Sequence, residues 1–87
     1  MNDLPLQPRL SSRFRLQFEP AQDRWVLLYP EGMVQLNTSA AEILKRCDGT
    51  ATVDAIVADL EQVFSAQGLG PDVRNLLSEG MRRGWIE

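Results

Sequence analysis

The stretch from Met33 to Leu60, MVQLNTSAAEILKRCDGTATVDAIVADL, constrains the fold more than any other part of the chain. A short apolar run ends at Leu36, capping residues follow at once, and two segments of helical periodicity are split by Asp48-Gly49. Asn37-Thr38-Ser39 supplies the helix start: Ser39 and Glu42 have the S-x-x-E spacing of a capping box, and Asn37 or Thr38 can equally serve as the cap. Ala40, Ile43, Leu44 and Cys47 recur at helical spacing, and Gly49 stops the segment with a residue that takes positive φ at little cost. Thr52 caps the next helix, Asp54 sits in its first turn where the macrodipole favours negative charge, and Val53, Ile56, Val57, Leu60, Val63 and Phe64 form an apolar stripe that ends near Gly68. Its polar face carries Asp54, Asp59 and Glu61 without a base, the pattern of a solvated surface.

Upstream the pattern is that of strands. Arg13-Phe14-Arg15-Leu16-Gln17-Phe18 alternates polar and apolar, placing Phe14, Leu16 and Phe18 on one face. Glu19 to Asp23 are turn residues, and Trp25 to Tyr29 has β-forming residues without strict alternation, as expected of a central strand or one covered on both faces. Pro30-Glu31-Gly32 turns the chain into Met33-Val34-Gln35-Leu36, a third strand at the sheet's edge. Residues 1–12, with Pro5 and Pro8 and no sustained period, read as a flexible N-terminal arm, leaving 13–87 as the single domain. A proline-bearing arm of this kind can order against a second copy by exchange, so a homodimer is expected.

Downstream, Gly70-Pro71-Asp72 opens a third helix with Val73, Leu76, Leu77, Gly80 and Met81 on one side and Gly84 as its stop. Gly80 costs about 1 kcal/mol of helix propensity relative to alanine, so something must approach closely there, with tight core packing preferred over room for a ligand. Trp85-Ile86-Glu87 then packs back on the sheet or caps the core. The expected class is α+β, a three-stranded antiparallel sheet followed by three helices in a winged helix-turn-helix-like order.

Composition narrows the chemistry. Eighty-seven residues with a hydrophobic fraction of 44% make one small core, which buries only about 60–65% of the surface exposed by the unfolded chain. There is no histidine and one cysteine, Cys47, so neither a common transition-metal site nor a base-activated thiol is available, and Cys47 reads as a core residue. No phosphate-binding glycine loop occurs, since Gly68-Leu69-Gly70 lacks both the lysine and the preceding strand. No catalytic residue, metal site or cofactor is expected, and the chain reads as non-enzymatic. The start resembles no secretory signal and no apolar run is long enough to cross a bilayer, so the expected location is cytoplasmic without membrane association.

Two functions remain. A winged helix can read nucleic acid, but the net charge is −3, and the third helix sets Arg74, Arg82 and Arg83 against Asp72 and Glu79, which argues against it. Peptide recognition fits better: an edge strand at Met33 to Leu36 exposes backbone groups beside which an extended peptide can add.

The stretches LLYPEGMVQLNTSAAEILKRCDGTATVDAIVADL and PDVRNLLSEGMRRGWIE resemble the PqqD family of pyrroloquinoline quinone biosynthesis. The shared features are the YPEG turn, a strand ending in Leu-Asn, Ala-x-x-Ile-Leu, Cys-Asp-Gly, Ile-Val-x-x-Leu, Asp-Val and a final Gly-Trp, in that order from about Phe14 to Glu87. The resemblance implies a peptide chaperone related to the RiPP recognition elements, which binds the precursor peptide PqqA by strand addition and presents it to the radical-SAM enzyme PqqE. It implies a cleft using Met33, Val34, Gln35 and Leu36 against Val73, Leu76, Leu77 and Gly80, with Arg74 facing an acidic group of the leader. Gly84 and Trp85 are implied as a docking surface for the enzyme, with a core-capping tryptophan as the alternative.

Overall fold

The polar-apolar alternation and the turn residues place the strands, and a computed structural model describes residues 4–87 with that outcome. The elements are β1 (Arg15–Glu19), β2 (Arg24–Tyr29), β3 (Gly32–Gln35), α1 (Thr38–Lys45), α2 (Val53–Val63) and α3 (Gly70–Arg83). The sheet is an antiparallel meander in the order β1-β2-β3. This is the α+β, winged helix-turn-helix-like arrangement expected from the sequence, with β2 in the centre.

Register explains why β2 lacks alternation. Leu16, Leu27 and Val34 stand in one row across the sheet, and Gln17, Val26 and Gln35 in the next. Neighbouring rows face opposite ways. Leu27 joins the helical core, whereas Val26 is buried on the outer face. There it is flanked by Gln17 and Gln35, and Gln35 is hydrogen-bonded to Arg24 and Gln22. Phe18 shares the inner face but stays 39% exposed at the sheet's rim, its ring edge-on to Trp25.

Asn37 is the cap of α1: its side-chain oxygen accepts from the Ala40 amide at 2.7 Å. Ser39 does not fill that role, and Glu42 accepts from Lys45 and Arg46 instead of reaching back to the cap. Thr52 caps α2 as expected, accepting from Ala55 at 3.1 Å. The stripe on α2 is buried only at Ile56 and Leu60, while Val63 and Phe64 emerge at 55% and 46% exposure. The helix stops at Val63, short of Gly68, because Ser65 takes a positive φ of 50° and turns the chain. Pro71 lies in the first turn of α3, and Gly84 ends it in the left-handed region at φ 78°.

Leu27, Leu36, Leu44, Ile56, Leu60, Val73, Leu77, Trp85 and Ile86 form one core between the sheet and the helices. Each fully buried leucine or isoleucine contributes roughly 1.5–3 kcal/mol relative to exposure.

The proline-bearing start was expected as an arm; its first three residues lie outside those described. Further on, no break in bonding falls at residue 12. The Arg9 amide donates to the Glu87 carbonyl and the Arg9 carbonyl accepts from the Glu87 amide, Leu10 donates to the Cys47 carbonyl, and Ser11 donates to the Trp85 carbonyl. Pro8 is buried, and its carbonyl accepts from Gly49. Proline removes only its own N–H, so the three residues after Pro8 remain free to pair.

Candidate functional site

The edge of β3 has an orientation that can be worked out from one bond. Leu36 donates to the Trp25 carbonyl at 2.9 Å, which makes Trp25 and Leu36 a hydrogen-bonded pair. Antiparallel pairs alternate, so Leu27 with Val34 and Tyr29 with Gly32 are also bonded, given their register. The N–H and C=O groups of Met33 and Gln35 therefore point away from β2 to a free edge. Met33 is 45% exposed and Gln35 is exposed, whereas Val34 packs against the core and Leu36 is buried within it.

Where this strand ends, a groove begins. Asn37, the residue after Leu36, lines an open depression of about 530 Å³ between the start of α1, the end of α2 and α3. Its apolar lining is Ala40 and Ile43 from α1, Leu60 and Phe64 from α2, Leu69 from the connector, and Val73 and Leu76 from α3. Asp72, Asn75 and Glu79 complete the α3 side, the spacing of one helical face. The volume and the apolar character with few polar groups suit a site for side chains.

Of the residues expected in the cleft, Val73 and Leu76 meet in this groove. Leu77 is fully buried behind them. Gly80 is closed off as well: a Cβ there would stand 2.7 Å from Ile86 Cγ1 and 3.6 Å from Trp85 Cβ. The close approach inferred from its sequence position is thus made by the chain's own C-terminal side chains. Trp85 is only 6% exposed and belongs to the core, with the Arg83 guanidinium 5.6 Å above its ring. Gly84 is exposed at the helix end. Arg74 points out of the groove, to Asp54 of α2, with Nη2 to Oδ1 at 2.7 Å.

Charge in the groove is negative. Its lining contains Asp72 and Glu79 and no base. Arg82 and Arg83 both bond to Glu79, and the hydrogen bond from Arg83 holds its carboxyl below the usual range. Among the described residues Asp72 has no ion-pair partner. On the far side of α1, Lys45 and Arg46 lower the Glu42 carboxyl through hydrogen bonds. Burial, with a smaller contribution from Asp48, pushes the Cys47 thiol up to about 12, so it is no nucleophile at neutral pH. Among the described residues no group of three or more His, Cys, Asp or Glu could hold a metal ion, and no helix is long and apolar enough to cross a membrane.

Sequence reasoning missed Ile43, Phe64 and Leu69. Ile43 and Phe64 were read as core stripes and Leu69 as connector. No local signal marks them: Phe64 continues the regular spacing of Leu60 and Val63, and only the packing of separate elements brings the three together.

Residues 24–86 match the family model described as Coenzyme PQQ synthesis protein D (PqqD). A PqqA binding protein of Methylococcus capsulatus is 47% identical over 87 residues, covering 95% of this chain and 94% of that one. One from Pseudomonas aeruginosa is 53% identical over 81 residues, covering 92% and 88%. The solution structure of the PqqD part of Methylobacterium extorquens PqqCD, described as a functional, stand-alone RiPP recognition element, superposes with a TM-score of 0.78. It is 32% identical and covers 92% of this chain and 87% of that one. The crystal structure of PqqD from Xanthomonas campestris gives 0.57 at 34% identity, covering 85% and 84%. With the family model matched over most of its length and close relatives spanning nearly all of it, the chain belongs to the PqqD family.

Proposed function

We propose that the chain is a non-catalytic peptide chaperone that binds the precursor peptide PqqA by strand addition beside β3 and presents it to the radical-SAM enzyme PqqE. The observation that carries this reading is the free edge of β3, whose chain continues through the buried Leu36 to Asn37, a residue that lines the apolar groove, while no β3 residue lines it. An added strand takes main-chain bonds from Met33 and Gln35, and alternate side chains fall on the inner face next to Val34, toward Val73 and Leu76. The relatives named as PqqA binding proteins support the choice of peptide. In this reading the contact set is Met33, Val34, Gln35, Val73 and Leu76, with Leu36, Leu77 and Gly80 supporting from within and Arg74 left to its ion pair with Asp54.

The iron-sulfur chemistry belongs to the enzyme, because a chain with one cysteine lacks the thiolates for a cluster. All three arginines of α3 are engaged by carboxylates, which leaves that helix poorly charged for a phosphate backbone and favours peptide over nucleic acid. The chaperone acts in the cytoplasm, where the peptide is made.

Titration of the isotope-labelled protein with PqqA tests this reading. Amide shifts are expected at Met33, Gln35, Val73 and Leu76. Met33→Pro deletes an outward N–H without touching the β2 ladder, and is expected to weaken binding about tenfold, the worth of one hydrogen bond. Shifts confined to α2, or full affinity in folded M33P together with folded Leu76→Asp, would overturn strand addition.

A further inference from the structure

A second open depression, of about 700 Å³, lies at the other end of α1 and shares no lining residue with the first. Its apolar part includes Leu16 and Leu44, together with the Phe14 and Tyr29 rings, whose centroids are 5.4 Å apart. Arg13, Arg15 and Lys45 also line it, and no acid does. By the same alternation that leaves Met33 and Gln35 outward on β3, residues 24, 26 and 28 bond to β1. Leu16 therefore directs its N–H and C=O off the sheet's edge, at this depression.

Elsewhere on this acidic chain the cations are held by carboxylates. Arg9 meets Glu87, Arg46 meets Glu42 and Asp59, Arg74 meets Asp54, and Arg82 and Arg83 meet Glu79. Arg24 bonds to Gln35. Among the described residues Arg15 has no carboxylate partner, and Arg13 reaches Glu31 only at 3.7 Å, beyond hydrogen-bond length, with the two side chains 66% and 68% exposed. A pair so exposed and so long contributes little. Lys45 differs: it is fixed by Glu42 at 2.7 Å and stands 4.3 Å over the Trp25 ring. The available positive charge is therefore at Arg13 and Arg15, beside an apolar wall.

We propose that this depression is a docking surface for an extended, acidic segment of a protein partner, one that alternates carboxylates with large apolar residues. Laid along the edge at Leu16, such a segment sends successive side chains to opposite faces. Its carboxylates then meet Arg13 and Arg15, and its apolar residues fall on the face of Phe14, Leu16 and Tyr29. Charge complementarity selects an acidic partner, while the apolar lining and the outward backbone groups select a peptide segment over a mineral anion. The surface is separate from the groove beyond β3, so both can be filled at once, and the proposal does not depend on strand addition at β3.

The test is a titration of the isotope-labelled full chain, with and without PqqA, at low salt. The probes are the blocked peptide Glu-Phe-Glu-Phe-Glu, its counterpart with lysine in place of glutamate, and sodium phosphate. Amide shifts are expected at Phe14, Leu16 and Tyr29 with the acidic peptide alone, and PqqA does not displace it. Raising the salt from about 20 mM to about 300 mM weakens binding on the order of threefold, as expected for exposed charges. Arg13→Glu combined with Arg15→Glu weakens the acidic peptide about tenfold, two exposed attractions having become repulsions, and lets the lysine peptide bind. Both positions are exposed, and thermal melts confirm that the double variant is folded. No shifts at millimolar acidic peptide, an equal response to the lysine peptide, or unchanged affinity in the folded double variant overturns the proposal. So do the same shifts with phosphate, which would make this a simple anion site, or displacement by PqqA, which would assign the surface to the precursor peptide.

Discussion

Gly80 concentrates the residue-scale physics of this domain. It lies on α3 where the chain, after Gly84, turns back so that Trp85 donates to the Gly80 carbonyl at 2.7 Å. A methyl group there meets Ile86 Cγ1 at 2.7 Å, and Ile86 is itself buried. Gly80→Ala gains about 1 kcal/mol of helix propensity but overpacks the core, which costs about 1–3 kcal/mol. The expected result is net destabilisation of about 1 kcal/mol, seen as a lower urea midpoint with an unchanged slope. That some close approach exists here was legible from a glycine in an apolar helical stripe. That Ile86 makes it was not, because nothing local relates residues 80 and 86 except the left-handed turn between them.

Among the elements, the start of α1 carries the most weight, since its cap also lines the groove. The sequence offers three capping candidates in a row, and local preference alone does not separate them. The structure separates them through the direction in which the chain leaves β3: Leu36 must be buried, which sets Asn37 at the cap with extended backbone at ψ 172° and leaves Ser39 inside the first turn. Asn37→Ala is expected to cost about 1 kcal/mol and Ser39→Ala only a few tenths, as read from thermal melts of the two variants. Equal losses would return the cap to Ser39. The α2 stripe shows the complementary limit: periodicity marks its apolar face, but which part of that face finds a partner depends on where α3 begins.

Across the whole molecule, the N-terminal segment ties both ends of the chain together. Residues 8–11 join the Asp48-Gly49 turn and the last three residues through five backbone bonds, and isolated bridges link Arg9 to Asp48 and Leu10 to Ile86. Removing residues 1–11 deletes those bonds and uncovers Trp85 and Ile86. The five net hydrogen bonds, at roughly 1 kcal/mol each, are largely offset by the ordering entropy of the segment, so the loss comes chiefly from exposing Trp85 and Ile86 and is expected to be on the order of 3 kcal/mol. Denaturant unfolding of the truncated chain measures it. A loss below 0.5 kcal/mol, roughly the worth of one weak hydrogen bond, would mean that the segment is held only loosely.

By itself the sequence determined the order and class of the elements, the edge position of β3, and the two later helix boundaries at Thr52 and Gly84. Those are local properties: periodicity, turn residues and caps act within a few residues of where they are written. Tertiary structure alone decided that Leu77 faces inward, that Arg74 is held by Asp54, and that Phe64 and Leu69 join Leu76 around one groove. Each of those outcomes depends on how α3 sits against α1 and α2. Helical spacing defines which residues share a face, but only the packing of separate elements determines whether that face meets the core, an ion pair or solvent.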